Sequence, residues 1–311
     1  MKYRIIILFF IFIWTSVKSI INAQQEIILT KYTFSSLLFN PAYAGSAGYG
    51  QGSVLLQYRN QWIGFEGAPT TFLAGGEMSI ANDKVGVGIM MGRESIGIDS
   101  RSEISSNYAY RIELGKGNLA LGIRAAWSYF QSNFSDITHV EINDPVFDRP
   151  NTSYNVFSVG TGLYYNTENL YVGFAIPSLS VPGSKYGSSL KARHIYANMG
   201  MMLGNDGSFI KLEPSLLFSY QKAAPLQMTF GLNLWMDGRF AIGGHLRTQD
   251  AIALSAEAFI LDRFRISAAY DFTTSDVQKA SDGTLEIMIG YYLYKKPEGK
   301  RVRHIRHGGR F

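Results

Sequence analysis

From about residue 51 onward, apolar and polar positions alternate one for one along the chain. Between Ser102 and Ile112 one face carries Ile104, Ser106, Tyr108, Tyr110 and Ile112, and the other Glu103, Ser105, Asn107, Ala109 and Arg111. The stretches Leu119 to Tyr129 and Leu285 to Leu293 repeat the scheme. Successive side chains of a strand point to opposite sides, so this period-two pattern predicts strands whose two faces meet different surroundings; helical spacing fits far worse. About fourteen such segments follow one another. They lie near 51–62, 69–80, 84–92, 101–113, 118–130, 153–165 and 169–177, then near 191–203, 208–221, 226–236, 239–248, 251–261, 264–274 and 284–294.

The joints between them alternate too. Every second joint is a tight turn, as at Ala81-Asn82-Asp83, Gly115-Lys116-Gly117, Asn166-Thr167-Glu168, Gly204 to Gly207, Asp237-Gly238 and Leu261-Asp262-Arg263. Asn, Asp and Gly there supply the positive-φ backbone that hairpins require. The remaining joints are generally longer, notably Gln131 to Thr152, Pro177 to Leu190 and Ser275 to Gly283. Short turns at one end and long loops at the other mark outer-membrane barrels, with the short turns periplasmic. The expected fold is therefore all-β: a transmembrane antiparallel β-barrel of about fourteen strands, both ends of the wall on the periplasmic side, the long loops outside.

The two faces fit this reading. Ile210, Leu212, Pro214, Leu216, Phe218 and Tyr220 form an uncharged face, opposite Lys211, Glu213, Ser215 and Ser219. A soluble β sandwich would bury the apolar face instead, and would leave the edges of seven consecutive hairpins to protect. The lumen face collects charges of both signs, with Glu77, Arg111, Arg124, Glu257 and Arg265 as an expected network of ion pairs. Aromatic residues near strand ends (Tyr58, Trp62, Trp127, Tyr129, Tyr164, Tyr165, Trp235 and Tyr291 to Tyr294) suggest the ring girdles of such barrels, although cross-strand packing also favours aromatics.

Composition narrows the field further. Charged residues make up 17% of the chain, below the roughly 25% usual for soluble domains, and aromatics 14%. No Cys is present, which removes disulfides, thiolate metal sites and a catalytic thiol. The net charge of +5 is misleading. The last stretch alone holds Lys295, Lys296, Lys300, Arg301, Arg303, Arg306 and Arg310 against a single Glu298, leaving the body slightly acidic. No basic face suited to nucleic acid emerges.

At the front, Lys2 and Arg4 precede the apolar run Ile5 to Trp14, with Ile21-Asn22-Ala23 ahead of Gln24. A basic start, about ten apolar residues and a small residue at the cut read as a secretory signal peptide, too short to span a bilayer. The expected organisation is a signal peptide at 1–23, an N-terminal periplasmic segment at 24–50 acting as plug or seam fastener, the barrel at 51–294, and a basic periplasmic tail at 295–311. In that tail Lys300, Arg301, Arg303 and Arg306 are the candidate contacts to periplasmic partners.

Candidate chemistry is sparse. His139, His194, His245, His304 and His307 form no HExxH pair, and there is no Walker A loop or GxSxG elbow. Gly86-x-Gly88 with Gly92 sits inside an alternating strand, where small residues facing a crowded lumen explain it better than a dinucleotide loop. Glu141, Asp144 and Asp148 lack the spacing of a calcium loop. No enzyme, cofactor or resident metal is expected.

Three motifs occur in order: Asn40-Pro41-Ala42-Tyr43-Ala44-Gly45 after Phe39, then Tyr58-Arg59-Asn60-Gln61-Trp62, then Gly67-Ala68-Pro69-Thr70-Thr71. Together they resemble the PorP/SprF family of Bacteroidota outer-membrane proteins, and the likeness extends to about Tyr294. The resemblance implies a non-enzymatic, cell-outer-membrane barrel of the type IX secretion system and gliding machinery. It implies as partners other secretion components and a secreted cargo, in particular an adhesin bearing a type B C-terminal domain. Lipid would cover the barrel, and peptidoglycan or periplasmic ring proteins would meet the tail. Physically, Asn40-Pro41 opens a turn, and Arg59 and Gln61 point into the lumen, where Arg59 is expected to bridge carboxylates such as Glu77 on the neighbouring strand. A small-solute channel and a purely structural membrane component are the competing functions.

Overall fold

The computed structural model describes residues 27–46, 52–136, 150–180, 193–205, 207–222, 224–261 and 263–293. The signal peptide, the acidic trio Glu141, Asp144 and Asp148, and the basic tail lie outside them.

Fourteen strands form the wall. They are β1 (Gly52–Asn60), β2 (Thr70–Ile80), β3 (Val85–Ile96), β4 (Asp99–Leu114), β5 (Gly117–Ser132), β6 (Thr152–Asn166) and β7 (Leu170–Ser180). After these come β8 (His194–Met201), β9 (Ile210–Gln221), β10 (Gln227–Met236), β11 (Phe240–Arg247), β12 (Ala251–Ile260), β13 (Phe264–Thr273) and β14 (Thr284–Leu293). Each strand is antiparallel to its sequence neighbour, and β1 pairs with β14 from Gly52↔Leu293 to Asn60↔Leu285, closing the sheet into a barrel. Closure satisfies every wall strand on both edges, the condition for backbone to cross hydrocarbon. The strands fall within a few residues of the alternating segments because alternation is a property of each strand alone.

Burial follows the same period. On β9, Ile210 and Leu212 are exposed while Lys211 and Glu213 are buried. Around the wall Leu56, Phe72, Ile89, Tyr108, Leu121, Phe157 and Leu254 all point outward and stay exposed. A continuous apolar exterior of this extent exceeds what a soluble monomer leaves uncovered and suits lipid. The sandwich, which would hide that face, is excluded.

One end of the barrel, here the turn end, carries the tight hairpins. Ala81, Asn82 and Asp83 all take left-handed backbone, as do Asp237 and Gly238. The other, or loop end, is less uniform than expected. Its joints include 133–151 and 181–193, but β3 and β4 are joined by Gly97-Ile98 alone, with Gly97 at φ 54°.

The aromatic girdle needs correction. Tyr58 and Trp127 do face outward, but Tyr164, Trp235 and Tyr292 are 2%, 2% and 6% exposed and point into the lumen. Neighbouring residues on one strand take opposite faces, so a pair such as Tyr164-Tyr165 cannot place both rings in lipid.

Candidate functional site: a plugged lumen

The lumen is filled by the chain's own residues 27–46. Ile27 to Leu29 line the loop-end mouth, whereas Gly45 reaches β2 near the turn end. The segment therefore runs through the barrel from the loop end towards the turn end. Tight turns over residues 30–35 lead into a single helical turn, α1 (Ser36–Phe39), then a 3-10 turn over Pro41–Tyr43. Asn40 sets the second: its Oδ1 accepts the Ala42 N–H at 2.9 Å, and Pro41 begins the turn, where a missing N–H costs nothing. The Asn40 amide also donates to the Leu163 carbonyl on β6, at 2.9 Å.

The wall makes room for this motif with glycine. A Cβ on Gly86 would overlap the Ala44 carbonyl, one on Gly122 the backbone of Ala42, and one on Gly162 the Asn40 amide oxygen. Gly45 itself stands at φ 70° against Met78 and Gly86. The rings complete the fit: Tyr43 meets Tyr164 edge-on at 5.3 Å, and Phe39 meets Tyr196 at 5.1 Å. Glycines that weaken strands by their lack of side chain are here the seat of the NPAYAG motif.

Buried charges fasten the plug in four groups. In the first, Arg59 on β1 reaches Glu286 on β14 at 2.7 Å and Asp271 on β13 at 2.9 Å. Glu286 also accepts the Gln57 amide at 3.0 Å and the backbone N–H groups of Thr30 and Lys31 at 3.0 and 2.9 Å. The Thr30 hydroxyl donates to Asp271 at 2.6 Å and accepts from Arg247 at 2.6 Å. Ser35 donates to Gln57 beside them.

In the second group, the Lys31 ammonium pairs with Glu257 at 3.0 Å and donates to the Asn233 carbonyl at 3.2 Å. Arg265 holds the other Glu257 oxygen at 2.5 Å, donates to the Tyr292 hydroxyl at 3.2 Å, and lies 4.6 Å over the Phe34 ring. In the third, the Gly45 N–H donates to Glu77 at 2.7 Å, and Arg111 donates to the Ala44 carbonyl. In the fourth, nearer the loop end, Arg124 reaches the Leu38 carbonyl at 2.7 Å and Glu103 at 2.5 Å.

The expected network of Glu77, Arg111, Arg124, Glu257 and Arg265 is thus not one network. Only Glu257 and Arg265 pair directly. The expected Arg59–Glu77 bridge is also overturned, because antiparallel register sets Thr71 opposite Arg59 and Ser53 opposite Glu77. Six residues of strand separate the two, about 20 Å. Sequence reasoning missed Thr30, Lys31 and Glu103. The only signal for Lys31 was a cation in an otherwise uncharged stretch ahead of a wall with inward carboxylates.

The other motif residues close the loop end over the seam between β1 and β14. The Gln61 N–H donates to the Pro69 carbonyl at 2.9 Å, and Thr70 starts β2 opposite Asn60. The Trp62 N–H reaches the Thr284 hydroxyl at 3.1 Å, and Ile63 exchanges backbone hydrogen bonds with Gly283 and Asp282, each at 2.8 Å. YRNQW and GAPTT are therefore the two stems of one loop lying across the seam.

A closed antiparallel barrel with a lipid-facing exterior and a lumen packed by its own N-terminal segment is an integral outer-membrane β-barrel. Residues 21–291 match the family model described as type IX secretion system membrane protein PorP/SprF, and the chain belongs to that family. Membership implies other components of the type IX secretion system as partners. No curated protein matches the chain. Among solved structures it is similar to the Acinetobacter baumannii outer membrane protein Omp33, at 10% identity over 79% of this chain and 100% of that one, with a TM-score of 0.44. It is also similar to a mutant of the Rh. blastica porin, at 8% identity over 78% and 99% of the two chains, with a TM-score of 0.36.

Proposed function

We propose that this barrel is a non-enzymatic anchor for secreted cargo, holding the C-terminal domain of a type IX substrate, such as a gliding adhesin with a type B domain, at its loop end. The observation that carries the reading is the filled lumen. Residues 27–46 are bound to wall strands on several sides by buried and part-buried hydrogen bonds and by a buried ion pair. A barrel so filled acts through its two mouths and its lipid-facing surface rather than by passing solutes. The loop end, closed across the seam by the Trp62 loop, faces outside and meets cargo. The turn end faces the periplasm, where Lys300, Arg301, Arg303 and Arg306 would meet peptidoglycan or periplasmic ring proteins. Export through a signal peptide cut after Ala23 completes the reading.

Affinity purification in mild detergent, with mass spectrometry, tests it. Cargo C-terminal domains should copurify, and deletion of the gene should abolish surface display of that cargo without changing outer-membrane permeability. Absence of any cargo together with robust conductance in planar bilayers would replace the anchor with a channel. N-terminal sequencing of the mature protein checks the cut.

A further inference from the structure

The loop-end mouth holds a cavity of about 350 Å³, floored by Ile27, Ile28 and Leu29 of the plug. Its wall includes Trp62, Ser219, Gln221, Gln227, Thr229 and Gln249. Among the described residues, none of the five polar side chains here makes a side-chain hydrogen bond. That contrasts with the lumen just below, where Thr30, Asp271, Glu286 and Glu257 are each held by several partners. Three amides and two hydroxyls with unused donors and acceptors converge on one hollow beside an indole ring.

The charges decide the ligand class. Among the described residues Asp250 is the only acidic one of the lining, its carboxylate held by Arg247 at 2.6 Å; no Lys or Arg lines the cavity, and the one imidazole, His194, is stacked on Tyr196 at 6.0 Å. A phosphate or a peptide C-terminus would find no Lys or Arg there to receive it. A purely apolar ligand would strip water from five polar groups and return no hydrogen bonds. What remains is an uncharged molecule rich in hydroxyl groups, with a face that stacks on an aromatic ring. The volume lies at the small end of ligand pockets and suits a mono- or disaccharide.

The backbone supports a built site. Trp62, which lines the cavity, stands at φ 51°. The other non-glycine residues with positive φ, Gln249 in the β11–β12 turn among them, belong to hairpin turns. A bulky residue held in left-handed backbone is costly and persists where its surroundings fix it; for Trp62 these are the Thr284 hydroxyl at 3.1 Å and the Phe65 ring at 6.5 Å.

We propose that this cavity binds a neutral saccharide, with the Trp62 indole stacked on a sugar ring and the amides of Gln221, Gln227 and Gln249 bonded to its hydroxyls. The site is independent of cargo anchoring and can exist whether or not that reading holds. The shared chemistry covers a free sugar and the end of a surface glycan.

The test is calorimetric and fluorescence titration of the full-length, detergent-purified barrel. The probes are glucose, galactose, mannose, N-acetylglucosamine, their disaccharides, and polysaccharide released from the source cell's own surface; an uncharged tetrapeptide and inorganic phosphate serve as competitors. Saturable binding of a neutral sugar is expected, weakened tenfold or more by Trp62→Ala and by Gln227→Ala and only partly by Trp62→Phe. Heat-modifiable migration should stay that of the folded barrel in each variant. Binding by small sugars assigns the site to free saccharide; binding by the polysaccharide alone assigns it to a glycan end. Absence of binding across the panel, wild-type affinity in a Trp62→Ala/Gln227→Ala double variant, or binding of the peptide or phosphate alone overturns the proposal.

Discussion

Arg59 and Glu286 stand on the first and last strands of the barrel and meet 2.7 Å apart inside it, with the backbone N–H groups of Thr30 and Lys31 bound to the same carboxylate. The β1–β14 pairing is the one contact in the wall that no hairpin prepares. It must bring together residues more than two hundred positions apart, at a loop-closure cost that local turns do not carry. The plug places its own donors on that junction, so the segment that fills the lumen also braces the closure of the wall.

Glu286→Gln removes one of the two carboxylate charges that Arg59 faces while keeping one acceptor. Breaking a buried pair from one side costs about 3–5 kcal/mol, and the folded band on semi-native gels should convert to the unfolded one at a clearly lower temperature. Arg59→Met combined with Glu286→Leu should recover part of the loss. Equal, additive losses would show that the two residues do not depend on each other.

Gly86→Val and Gly122→Val should expel the NPAYAG motif, because the added side chain occupies the backbone positions of Ala44 and Ala42. Proteolysis within residues 27–46 should accelerate while the wall stays intact. Gly244→Ala, where a Cβ meets nothing within 4 Å, is the matched control and should behave as wild type.

Deleting residues 27–46 should open the lumen. The full chain is expected to give no steady conductance in planar bilayers, and the deletion variant stable channels if the wall still closes. Should the variant fail to fold, Gly122→Val provides the same comparison in a complete chain, with conductance above wild type expected.

The chain contains no Cys, so single introduced thiols report the direction of the plug without background. Ile27→Cys, at the loop-end cavity, should react with a membrane-impermeant maleimide on intact cells. Ser46→Cys, beyond Gly45 at the turn end, should react only after the outer membrane is breached. The reverse pattern would invert the barrel in the membrane.

Alternation of apolar and polar residues determined where the strands lie and which face of each meets lipid, because the two faces of a strand are set by a period of two that needs no distant partner. Asn, Asp and Gly at every second joint likewise determined the turn end, and three short motifs the family. Only the tertiary structure decided which inward residues meet. Arg59 and Glu77 share a face on adjacent strands, yet register places them at opposite ends of the wall and gives Arg59 to Asp271 and Glu286. Lys31 reaches Glu257, Asn40 seats against Gly162, and Trp235 turns inward to donate to Glu213 at 2.7 Å. Those contacts depend on closure of the whole ring and on the path of a segment threaded through it, and neither leaves a periodic trace in the chain.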